Sequence, residues 1–246
     1  MNILHFDIKS LNIVYSEKEN LSRLIDWGIS FVIKGNMVPN EIRGWTIMFN
    51  QPFTNLIFNK KVQQVYESMQ NRKNFKLVKI KLRENIFKNE NTITGIFGRV
   101  GHLEYLTHVF EKILNLNITN NSLTSNINES PKNILLDLIS EQLAHVLIEY
   151  SNDNGVFNEK RYFNEIYRHN CDIYGFITCY LDILTNINFS LSLRIDVFDL
   201  LYKYCFNYHY CLNKYPINLL INDLKNLNTI KTPKTINIPG APRLIL

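Results

Sequence analysis

The chain has 246 residues, of which 46% are hydrophobic and 20% charged, and a formal net charge of +5. That length can bury a sizeable core, and the composition is that of an ordinary globular protein, which excludes a fibrous or wholly disordered chain. Lys and Arg are scattered, apart from a loose cluster at Arg72, Lys73, Lys76, Lys79, Lys81 and Arg83, so the mild basic excess does not argue for a nucleic-acid partner.

Residues 1–33 read as a short helix end or loop followed by two strands. The runs LNIVY (11–15) and LSRLI (21–25) are β-prone and are joined by the polar turn SEKEN, a hairpin pattern. Residues 34–60 carry Gly35, Pro39, Gly44 and Pro52 with little apolar periodicity, which predicts a long ordered loop. A helix is predicted at 60–70. The basic stretch KNFKLVKIKLREN (73–85) alternates like a solvated strand face, and another helix follows near 102–116. The polar, low-complexity segment 117–133 reads as a mobile linker. NILLDLISEQLAHVLIEY (133–150) has apolar residues at helical spacing, and a shorter helix is expected at about 158–168. CDIYGFITCYLDILTNI (171–187) is hydrophobic almost all round, as a central buried helix would be. Two or three further helices fill 190–229, and the proline-containing tail 230–246 is predicted to be extended.

No apolar run reaches the roughly 18–20 residues of a membrane span, and no signal peptide is evident at Met1. Cys171, Cys179, Cys205 and Cys211 are therefore expected to be free thiols, and the expected compartment is the cytoplasm. Cys205, His209 and Cys211 look loosely metal-like, but without an evident fourth ligand they read as helix residues. Asn, Ile, Leu and Lys are abundant, which lowers the weight of any single Asn or Lys outside a spaced motif.

One stretch carries chemistry. In HFDIKSLNIVYSEKENLSRLIDWG (5–28), Asp7 is followed by Lys9 and Asn12, and Asp26 closes the apolar run before Trp27 and Gly28. Phosphoryl transfer from a nucleotide asks the protein mainly for positioning and charge. A loop carboxylate can orient and deprotonate an acceptor hydroxyl (Asp7), and an ammonium two residues on can neutralise the transferring group (Lys9). An amide oxygen and a second carboxylate can hold Mg²⁺ (Asn12, Asp26), with the hairpin returning Asp26 beside Asn12.

These residues resemble the eukaryotic-type protein kinase family. HFDIKSLNI is similar to its catalytic loop H-R-D-[LI]-K-x-x-N-[IL], and LIDWG to the apolar lead and D-F-G motif. The resemblance implies Asp7 as catalytic base, Lys9 as the phosphate-facing lysine of the serine/threonine branch, and Asn12 and Asp26 as Mg²⁺ and ATP-binding residues. His5 and Gly28 complete the two motifs. CDIYGF (171–176) resembles the signature that opens the family's central C-lobe helix, which implies that the Asp172 carboxylate accepts the backbone N–H groups of His5 and Phe6.

The implied fold is mainly α: a kinase-like C-lobe with a short β-hairpin carrying the catalytic and metal-binding loops. It divides into catalytic loop and activation segment (1–59), an atypical insertion (60–160) containing the linker, the helical remainder of the C-lobe (161–229) and the tail. Some features depart from the family. Phe6 replaces an arginine and Trp27 a phenylalanine, which argues for weak regulation by phosphorylation. In FNQPFTNLIF (49–58), Phe53 stands where the A-P-E glutamate would be. TGIFGRVGH (94–102) reads as a helix-initiating turn rather than a phosphate loop. The N-lobe, with its glycine-rich loop and strand lysine, is expected to come from elsewhere, for example a complementary partner chain. Transfer from ATP to a protein hydroxyl is then conditional on that lobe. The alternatives are a catalytically inactive kinase-like scaffold and a small-molecule phosphotransferase, whose loops also read H-x-D-x-x-x-x-N and I-D-W. The insertion and the Asn/Ile/Lys bias resemble kinase-like proteins of giant DNA viruses, which would place the chain in host cytoplasm.

Overall fold

The structure is a computed structural model that describes residues 3–43, 48–87, 101–115, 130–186 and 188–228. It is mainly helical, as the apolar periodicity of several segments predicts. Most of the linker 117–133, the tail 230–246, Gly44 and residues 94–100 lie outside the described residues.

Four short strands occupy the amino end. β1 (Ile3–Leu4) pairs antiparallel with β4 (Phe31–Val32), and β2 (Ile13–Ser16) with β3 (Leu21–Leu24), in the register Ile13↔Leu24 to Ser16↔Leu21. The predicted hairpin is thus present, and a second pairing that the sequence did not announce closes residues 5–30 into a loop bounded by β1 and β4. Asn20 takes the positive φ of 50° at the hairpin turn, a conformation asparagine tolerates well.

Residues 34–60 contain more structure than a loop: α1 (Asn40–Arg43) and a 3-10 segment at Phe53–Phe58. The latter is buried at every position, because Phe53, Leu56, Ile57 and Phe58 enter the core. Arg43 forms a bidentate pair with Glu159 (3.0 and 2.5 Å), which ties this segment to the helices that follow.

Next come α2 (Lys60–Glu67), α3 (Phe75–Ile86), α4 (Gly101–Asn115) and α5 (Pro131–Glu149). Asn59, Asn74 and Ser130 cap α2, α3 and α5 through their side-chain oxygens. The helix at 75–86 corrects the strand reading of the basic stretch. Val78, Leu82 and Ile86, four residues apart, are buried against α5, while Lys79 bonds Asp137 and Glu141 on that helix and Arg83 bonds Asp137. Packing and ion pairing across two helices outweigh a local alternation that favours a strand.

The central helical stretch also differs from expectation. It begins at α6 (Glu159–Tyr162), continues through a π turn (Phe163–Tyr167) into α7 (Arg168–Thr178), and is interrupted before α8 (Leu181–Thr185). Asp172 therefore lies inside a helix rather than opening one. The remainder is α9 (Leu191–Leu201) with a π turn to Phe206, α10 (His209–Leu212) and α11 (Ile217–Asn228). One continuous core joins Phe6 and Phe53 to Leu143 of α5 and Leu201 of α9, so the 60–160 helices share it. No helix among the described residues is long and apolar enough to cross a membrane.

Candidate active site

The loop between β1 and the hairpin is built around Asp172. Its two carboxylate oxygens accept the backbone N–H groups of His5 and Phe6, each at 2.9 Å, as expected from the resemblance of CDIYGF. A buried polar group is tolerable when paired, and here one helix carboxylate pairs two loop amides that no strand serves. Phe6 is bent to a positive φ of 65° and its ring is buried against Phe31 at 5.2 Å between centroids. The apolar ring thus occupies core where an arginine could not be left unpaired.

His5 is a structural strut. Its Nδ1 accepts the Asp7 N–H (3.4 Å) and its Nε2 faces the Ile25 carbonyl (3.0 Å), which assigns the proton to Nε2. The Trp27 indole meets the imidazole edge-on at 4.6 Å and donates its own N–H to the Leu24 carbonyl. The two motifs are therefore latched together by one histidine ring.

Asp7 is buried, and both of its carboxylate oxygens are held. Oδ2 accepts from Lys9 Nζ (2.7 Å) and Asn12 Nδ2 (3.0 Å); Oδ1 accepts from Asn50 Nδ2 (2.8 Å). Asn12, at the end of the 3-10 turn Ser10–Asn12, also donates to the Asp7 carbonyl at 2.9 Å. With the amide hydrogens committed to Asp7, the Asn12 side-chain oxygen is left as the end able to meet a cation.

The hairpin does what its pattern predicts. Past the Ile13↔Leu24 pair, Ile25 donates its N–H to the Asn12 carbonyl at 2.9 Å, which brings Asp26 back beside Asn12. Asp26 is exposed, takes a positive φ of 59°, and receives the Gly28 N–H at 3.4 Å. Asn12 offers a neutral oxygen and Asp26 a charged one, the kinds of donor that a hard cation takes. Among the described residues, no group of three or more His, Cys, Asp or Glu could hold a metal ion. Cys171, Cys205 and Cys211 are buried and unbridged, and burial pushes their thiols up.

The sequence reading missed two contributions. Asn50 and Gln51 reach the Asp7 loop from the segment before Phe53–Phe58; Asn50 was hidden in the chain's general asparagine richness, and nothing local marks Gln51. On the other side, α4 brings Tyr105, whose hydroxyl donates to Asp182 (2.8 Å), and Asp182 also accepts from Ser10 Oγ (3.2 Å). His102, in the first turn of α4, has its pKa lowered by burial and then by the charge of Lys9, with Asp7 opposing.

No family model matches the chain, and neither a curated protein nor a solved structure matches it.

Proposed function

We propose that this chain is the C-lobe of a serine/threonine-type protein kinase, transferring a phosphoryl group from Mg²⁺-ATP to a protein hydroxyl when a nucleotide-clamping lobe completes it. The observation that carries the reading is the convergence on one loop of Asp7, Lys9 and Asn12, with Asp26 returned beside them by the hairpin. In that role Asp7 accepts the proton of the acceptor hydroxyl through an oxygen already held in place. Lys9 carries positive charge beside it, where the transferring group would develop negative charge. Asn12 and Asp26 would hold Mg²⁺, which when bound neutralises the phosphates. The clamp itself, a glycine-rich loop and a strand lysine, would come from a partner chain or from further sequence.

A second reading, a non-catalytic kinase-like scaffold, is compatible with the apolar surface of residues 3–32. Ile3 and Val32 form an exposed cross-strand pair, and Val14, Leu21, Ile25 and Trp27 are also exposed. That surface fits either a clamping lobe or a binding partner. Calorimetry with Mg²⁺-ATP, on the chain alone and with a clamping lobe supplied, tests the readings, with Asp26→Ala as the control. Binding that Asp26→Ala abolishes supports phosphoryl transfer. Absence of binding by the chain alone at about millimolar nucleotide removes autonomous nucleotide use, and absence with the lobe supplied as well favours the scaffold.

A further inference from the structure

We propose that Asn50 is a positioning residue for Asp7, and that through Asn50 and Gln51 the segment 48–58 governs whether the Asp7 loop is competent. The proposal rests on the phosphoryl-transfer reading for what Asp7 does, but not for how Asp7 is held.

Lys9 and Asn12 both hold the same oxygen of Asp7, which alone leaves the carboxylate free to swing about that point. Asn50 takes the other oxygen at 2.8 Å and, with the same amide nitrogen, the Ile8 carbonyl at 3.1 Å. This fixes the carboxylate plane. The amide orientation is dictated, because the reverse one would set an oxygen against two acceptors. The Asn50 Oδ1 consequently remains buried without a donor, an unmet acceptor that the fold tolerates at this place.

Gln51, fully buried, donates to the Phe6 carbonyl at 3.2 Å. Its own oxygen accepts from Asn55 (3.4 Å), and the Asn55 oxygen accepts from the Tyr167 hydroxyl (2.8 Å). A directed line of hydrogen bonds thus runs from the central helix through the 48–58 segment to the residue preceding the base. At Gly175 the three elements meet backbone to backbone: a Cβ there would lie 2.8 Å from the Ile8 carbonyl oxygen and 3.1 Å from that of Asn50. Asp7 therefore cannot keep its orientation if this segment moves away.

The experiment uses the full chain, with hydrogen exchange read by mass spectrometry and phosphoryl transfer read in the presence of a supplied clamping lobe. Asn50→Leu is expected to speed exchange at residues 6–12 by about tenfold or more, with α5 unchanged. It is also expected to lower kcat by about 10–100-fold while the nucleotide KM stays within about twofold, since a displaced base costs turnover rather than nucleotide affinity. Should Asn50→Leu fail to fold, Asn50→Ala, which removes the donor without adding bulk or charge, is expected to give the same pattern. A folded variant with wild-type exchange at residues 6–12 overturns the proposal, and so does an unchanged kcat. If the wild-type chain shows no transfer that Asp7→Asn abolishes, the phosphoryl-transfer reading falls, and the exchange result by itself decides whether Asn50 holds the loop.

Discussion

Asp172 accepts the backbone N–H of Phe6 at 2.9 Å while Phe6 is held at a φ of 65°. The left-handed conformation costs an aromatic residue about 1–3 kcal/mol and persists only where the surroundings over-determine it. Here they include both Asp172 oxygens, the Gln51 amide on the Phe6 carbonyl, and the buried ring. Asp172→Ala should therefore cost about 3 kcal/mol, since it strands two buried amides and releases the strained turn. Urea denaturation checks this. A loss below about 1 kcal/mol would show that water or another group serves those amides equally well.

Gly175→Ala tests the close approach by its sign. Helix propensity alone predicts a gain of about 1 kcal/mol for alanine in a helix interior. The Ile8 carbonyl oxygen, 2.8 Å from where the Cβ would lie, predicts a net loss of about 1–3 kcal/mol. A thermal midpoint above that of the wild type would contradict this close approach.

Acidification should destabilise the fold. His102, His145 and His169 all have pKa values lowered from 6.5, with burial the largest cause in each. His145 lies between Phe75 (4.3 Å) and Tyr208 (3.9 Å). The unfolded chain then takes up protons at a higher pH than the folded one. The stabilisation from these neutral imidazoles is full above their ordinary value and is lost as pH falls through the depressed folded values. The urea midpoint is expected to drop between about pH 7.5 and about pH 5.5, with a smaller drop in His145→Phe. A midpoint that is flat or rises on acidification would rule this out.

Lys79 sits between Asp137 (2.7 Å) and Glu141 (2.8 Å), with Arg83 also on Asp137 (3.2 Å). The two carboxylates raise its pKa although burial, the largest single effect, lowers it. Lys79→Met should cost about 1–2 kcal/mol, between the values for exposed and for buried pairs. The cost should shrink at roughly 0.5 M salt, where screening weakens half-exposed charges. Equal losses in low and high salt would assign the effect to packing of the lysine stem.

The segment 5–28 determined its own local structure. Polar residues at fixed spacing, two β-prone runs and a polar turn suffice to form the hairpin and to return Asp26 beside Asn12, because every contact involved is short in sequence. The predominance of helix and most helix positions were legible for the same reason, from apolar periodicity. The strand reading of 73–85 failed because what decides that stretch is α5, which follows only after two further segments. Asn50 was illegible in a chain rich in asparagine, and Gln51 for want of any local mark: nothing in the sequence distinguishes an amide that will hold the Asp7 loop from one facing solvent. The sequence by itself set Asp7, Lys9, Asn12 and Asp26 at fixed spacing on the loop and hairpin. Only the tertiary structure decided how Asp7 is oriented, because its carboxylate plane is set by a residue brought in from beyond the hairpin, across a contact that the missing side chain of Gly175 allows.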